Sequence, residues 1–173
     1  MNKRVFSVVA FFLFSVFLVA CSNTTIQKEN RAEQFLRECF TLNKDDRFHL
    51  LEQSTEEALP QLTANSDVIQ SIPAEIYETY YQSLKKMTTE TCLNSLEANR
   101  IPGSFDQLVV NAGLTAQIDT IQLTPAGDNA YTFEITYDSD AVNTLLNAPI
   151  TGQVTVQEEN GTVLVAALRI SSK

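Results

Sequence analysis

Two periodicities divide the chain. Up to about residue 100 apolar side chains recur at three- and four-residue spacing, and afterwards they alternate. Arg31 to Leu42 puts Ala32, Phe35, Leu36, Cys39 and Phe40 on one stripe, which predicts an amphipathic helix. Asn43-Lys44-Asp45-Asp46 interrupts it, and either aspartate can cap a short second helix carrying Phe48, Leu50 and Leu51. A third helix is predicted from Pro73, with Ile76, Tyr80, Leu84 and Met87 inward. Cys92, Leu93 and Leu96 keep helical spacing beyond a Thr-rich stretch, so whether that helix runs on to Asn99 stays open. Ile101-Pro102-Gly103 breaks the pattern.

Strands dominate the rest. Leu114 to Leu123 reads as a strand whose apolar parity switches between Ile118 and Ile121, which predicts a bulge near Asp119-Thr120. Tyr131, Phe133, Ile135 and Tyr137 alternate with polar residues in a half-buried strand. Ser139 to Ala148 has helical spacing at Val142, Leu145 and Leu146, with Asp140 as N-cap and Pro149 as stop. Asn160-Gly161 is the preferred pair for a two-residue type I′ turn, joining a strand through Val154 and Val156 to one over Thr162 to Ile170. That turn sets Glu159 opposite Thr162, Val156 opposite Val165 and Val154 opposite Ala167. Helices first and strands later argue for one α+β domain over 31–173, with N-terminal helices packed on a bent C-terminal antiparallel sheet.

Residues 1–20 fall outside that domain. Lys3 and Arg4 precede an almost wholly apolar run from Val5 to Ala20, somewhat short for a bilayer span of about 20 residues. Positive start, apolar middle and small-residue end describe an export signal, against the alternative of a retained anchor. Leu18-Val19-Ala20-Cys21 resembles the lipobox of bacterial lipoproteins. The resemblance implies cleavage between Ala20 and Cys21, a diacylglyceryl thioether on Cys21, and acylation, for instance by palmitate, of the new amine. The mature protein would then be tethered to a bacterial membrane on its extracytoplasmic side, with the lipid bilayer as first partner. Two or more acyl chains hold a protein stably, whereas one holds it marginally. Residues 21–30, polar and aperiodic, read as a lipidated tether.

Charge narrows the classes further. The chain of 173 residues carries 21 acidic and 12 basic side chains, a net charge of −9. Loss of Lys3 and Arg4 with the leader leaves 10 basic against 21 acidic, a balance of −11. Such acidity argues against nucleic acid, which demands a basic stripe. One His and three Cys make a zinc site or a His-based catalytic cluster improbable, and no cofactor or metal is implied.

The order of elements also resembles the NTF2-like (cystatin-like cone) superfamily. Ala32, Phe35 and Leu36 carry that resemblance, with Asn43-Lys44-Asp45-Asp46-Arg47-Phe48 and the hairpin at Asn160-Gly161. It implies a cone whose mouth holds a pocket in enzymatic members, though a fold alone assigns no function. Tyr80, Tyr131 and Asp119 are the pocket candidates, with His49 and Glu134 as further titratable groups. Against this stands the commoner role of such aromatics as core and of such carboxylates as solvated strand residues. The first and third helices pack together in an NTF2-like cone, so Cys39 and Cys92 are candidates for a disulfide outside the cytoplasm. The alternative is two buried thiols acting as small apolar residues.

Apolar residues occupy both faces of the last strand. Leu164, Leu168 and Ile170 define a sheet face on which a second copy or an envelope protein can dock, unless they are scattered aliphatics of the ordinary kind. Two functions therefore compete. One is a non-catalytic binding or scaffolding lipoprotein of the cell envelope. The other is a tethered small-molecule carrier or enzyme built around the Tyr80, Tyr131 and Asp119 pocket.

Overall fold

The computed structural model describes residues 25–43 and 81–171. The second predicted helix, the start of the third, His49 and Tyr80 lie outside the described residues. The architecture is α+β. Helix α1 spans 25–40, and residues 81–85 are helical. Then come α2 (Glu90–Ala98), α3 (Gly103–Asn111), β1 (Ile118–Pro125), β2 (Ala130–Tyr137), α4 (Asp140–Leu145), β3 (Ile150–Glu159) and β4 (Thr162–Ile170). The strands form one antiparallel sheet in the order β1-β2-β3-β4.

Helix α1 starts six residues before the predicted Arg31. Residues 25–30 of the expected tether are thus helical. Gln27, Lys28 and Glu29 are good helix formers. The contact of Lys28 Nζ with Asn129 Oδ1, at 2.6 Å, ties this turn to the β1–β2 connection. The predicted stripe holds: Ala32, Phe35, Leu36, Cys39 and Phe40 are all fully buried. They pack over the inner face of β2, where Tyr131, Phe133, Ile135 and Tyr137 are also buried. At the far end of α1 the Tyr137 hydroxyl donates to the Phe40 carbonyl at 3.1 Å. Lys28 meets the start of β2 and Phe40 its end, so α1 runs parallel to this strand.

The Thr-rich stretch separates two helices. Thr89 N-caps α2, its hydroxyl accepting from the Cys92 N–H at 3.2 Å. Its own N–H donates to the Val165 carbonyl, and the Val165 N–H donates to the Met87 carbonyl. Residues 87–89 therefore cover part of the β4 edge, which otherwise would present unpaired backbone groups. Pro102 does interrupt the helical pattern, but it stands as the N-cap of α3, which begins at Gly103 itself. In α4 the N-cap is Ser139 rather than Asp140.

Two bulges bend the sheet. The first leaves Asp119 as the extra residue of β1, where the parity switch predicted it. The second was not legible in the sequence. Glu159 opposes Thr162 and Val156 opposes Val165 as expected, with Asn160 and Gly161 both at positive φ. Then Thr155 opposes Ala167, so Ala166 is the extra residue and Val154 opposes Leu168. A bulge exchanges inward and outward positions. Val163 and Val165 face the core before it, and Leu168 and Ile170 pack against the core after it. The docking face expected at Leu164, Leu168 and Ile170 is thus divided between the two sides of the sheet. Leu164 opposes Gln157 on the outer side.

Gly152 marks the tightest approach in the sheet. It opposes Phe133 on one side and Ile170 on the other. A Cβ there would collide with the Arg169 carbonyl oxygen, which is backbone and cannot yield, and would stand 2.7 Å from the Phe133 ring. Gly152→Ala is expected to destabilise the domain by about 2–3 kcal/mol, seen as a lowered urea midpoint with an unchanged m-value.

Candidate functional site

The three pocket candidates do not converge. Tyr80 lies outside the described residues. Tyr131 is only 3% exposed, facing α1 from the inner side of the sheet. Burial, followed by the nearby Glu29 charge, pushes its phenol pKa up. Asp119 is the exposed bulge residue of the edge strand. Tyr131 opposes Pro125, whereas Asp119 sits beside the Ile118–Tyr137 pair at the other end of the hairpin. That separation is five to six residues of strand, roughly 18 Å. The inner surface between them is filled by Phe133 and Ile135 under the α1 stripe. Glu134 points to the outer, exposed side of β2.

Cys39 and Cys92 are both deep in the core, and no bridge joins them. In this structure they stand as the alternative reading has them, two buried thiols. Each occupies the apolar stripe of its helix and serves as a small hydrophobe. Burial pushes the Cys92 thiol up to about 11.

Asp106 is the polar residue that periodicity missed. It lies in the first turn of α3 and is fully buried. Its Oδ1 accepts the Asn43 N–H at 2.5 Å, where the chain leaves α1 at positive φ. The carboxyl thereby stitches α3 to the end of α1. The signal available in sequence was an acidic residue in a helical first turn, but Pro102-Gly103 read as a break hid the helix itself. Beside it, the Phe105 ring meets Phe40 edge-on at 5.4 Å.

The outer side of the sheet is polar. Thr120, Gln122, Thr124, Thr132 and Glu134 are exposed there, and the Thr120 and Thr136 hydroxyls hydrogen-bond at 2.7 Å. Among the described residues no cluster of His, Cys, Asp and Glu is arranged to hold a metal ion. Among them, too, no helix is long and apolar enough to cross a membrane. No protein-family model, curated protein or solved structure matches the chain.

Asp106→Ala is expected to cost about 2 kcal/mol, the loss of a buried acceptor, while Asp106→Asn retains an oxygen for Asn43 and costs less. Chemical denaturation of the two variants measures the difference. The thiols give a second expectation. In the unreduced native protein Cys39 and Cys92 should resist a thiol reagent at pH 8, and both should react once urea unfolds the chain. The sign of the pH effect follows from Cys92. An ordinary thiol titrates near 9, so between about pH 9 and 11 the folded state keeps a proton that the unfolded chain has released. Stability present below pH 9 should fall across that window by about 2 kcal/mol, and Cys92→Ala should flatten that part of the curve.

Proposed function

We propose that this chain is a bacterial lipoprotein whose extracytoplasmic domain is a non-catalytic binding or scaffolding module of the cell envelope. The observation that carries the reading is Leu18-Val19-Ala20-Cys21, placed behind a positive start and an apolar run and just ahead of the folded domain. Only a thiol is nucleophilic enough to take a diacylglyceryl group readily. Cleavage before Cys21 then leaves the lipidated residue as the new N-terminus.

Among the described residues the side-chain arrangement supports binding over catalysis. General acid–base chemistry needs its groups within hydrogen-bond reach of one reacting centre. Here Asp119 and Glu134 are exposed on strands, Tyr131 is packed under α1, and Asp106 is engaged with the Asn43 backbone. The polar face of the sheet, on which Gln122, Thr132, Glu134 and Arg169 are exposed, is the surface such a module would offer. An NTF2-like cone is the finer fold reading, supported by helices that precede a four-stranded meander bent at Asp119 and Ala166.

Expression of the full chain in a bacterial host tests the lipoprotein reading. The membrane fraction should yield a protein that begins at Cys21 and carries a diacylglyceryl group by intact mass. Cys21→Ser should accumulate as the unprocessed precursor. A wild-type chain that keeps its leader and has an unmodified Cys21 would overturn the proposal.

A further inference from the structure

We infer that one pole of the domain rests against the phospholipid surface, so that the domain stands end-on with its opposite pole outward. That pole comprises the first turn of α1, the β1–β2 turn and the tip of the β3–β4 hairpin. The inference rests on the lipoprotein reading and adds the surface that meets the bilayer.

Chain length is the first support. Residues 22–24 alone separate Cys21 from Thr25, the first residue of α1. An extended chain spans at most about 3.5 Å per residue, which keeps Thr25 within roughly 14 Å of the lipidated residue. Helix α1 cannot swing away to lengthen this reach. Lys28 is held to Asn129, and Ala32, Phe35 and Leu36 are fully buried in the core.

The sheet register supplies the second support. Val156 donates to the Asn129 carbonyl at 2.8 Å, so that point of β3 is level with the β1–β2 turn and with Lys28. Beyond it β3 continues through Gln157, Glu158 and Glu159 to the Asn160-Gly161 turn. This tip projects roughly 10 Å past Asn129. Three residues of α1 before Lys28 advance only about 4.5 Å. The hairpin tip therefore reaches at least as far towards the acylated residue as the helix start does.

Ile26 is the third support. Its exposure of 54% is the largest among the described large apolar side chains, and it lies one residue into α1. Next to an acyl chain it would leave water for the bilayer interface. The same pole carries exposed Asp128, Glu158 and Glu159, which anionic headgroups would repel. The short tether and Ile26, rather than charge, hold the pole down. At the other end α4 joins the far ends of β2 and β3. Length of α1 alone, 16 residues at 1.5 Å each, puts that end about 24 Å further out.

The test uses the full lipidated protein in phosphatidylcholine vesicles containing a spin-labelled phosphatidylcholine as quencher. A fluorophore is attached at Asp128→Cys, Asn160→Cys or Leu145→Cys, each made singly, with intact mass confirming acylation of Cys21. Quenching is expected to be at least threefold stronger at positions 128 and 160 than at 145. Insertion of ten Gly/Ser residues after Ser22 should abolish that difference without altering lipidation. Equal quenching at the three positions in acylated protein, or stronger quenching at 145, would overturn the orientation and leave the lipoprotein reading standing. An unacylated mature chain would remove both.

Discussion

Closure of α1 over the inner face of β2 is the contact on which the rest of the structure depends. Five residues of the helix are fully buried there. Burying a large aliphatic or Phe side chain is worth about 1.5–3 kcal/mol. The exposed Arg37–Glu33 ion pair on the same helix contributes well under 1 kcal/mol. Apolar burial thus decides where α1 lies, and Phe40 joins the parts. Its ring meets Phe105 of α3 and Phe133 of β2, while its carbonyl takes the Tyr137 hydroxyl. Asp106 completes the junction by holding the chain as it leaves the helix.

That closure has a chemical consequence. The inner side of the sheet, where a cone-shaped fold would house a pocket, is occupied by aromatic and branched side chains. Tyr131 contributes to the packing, and Asp119 is displaced outward because it is the surplus residue of a bulge. The polar groups of the sheet accordingly face solvent on the other side. Among the described residues the sheet therefore presents its polar side chains on the face turned away from α1.

The same closure aligns the molecule along one axis. Helix α1 and strand β2 run in the same direction, and the β1–β2 and β3–β4 turns lie at the end where α1 begins. A helix starting four residues after Cys21 would, under the lipoprotein proposal, couple the attachment point to the whole sheet. A long flexible leash would have lost that coupling.

Much of this was legible locally. The α1 stripe, the four strands, the Asn160-Gly161 turn and the bulge at Asp119 depend on residues within one or two turns of each other, so their chemistry shows in the linear pattern. The export and lipidation signals proposed for residues 1–21 rest on the same kind of local pattern. Tertiary packing decided the remainder. Leu168 and Ile170 face inward only because Ala166 is skipped in pairing with β3, and alternation alone cannot show a register shift between apolar neighbours. Asp106 acquired its role from Asn43, 63 residues away. Cys39 and Cys92 share the core as separate thiols, which spacing and compartment cannot distinguish from a bridge. Sequence determined the elements, since they are short-range properties. Which side chains meet was settled only by the long-range contacts that close α1 onto the sheet.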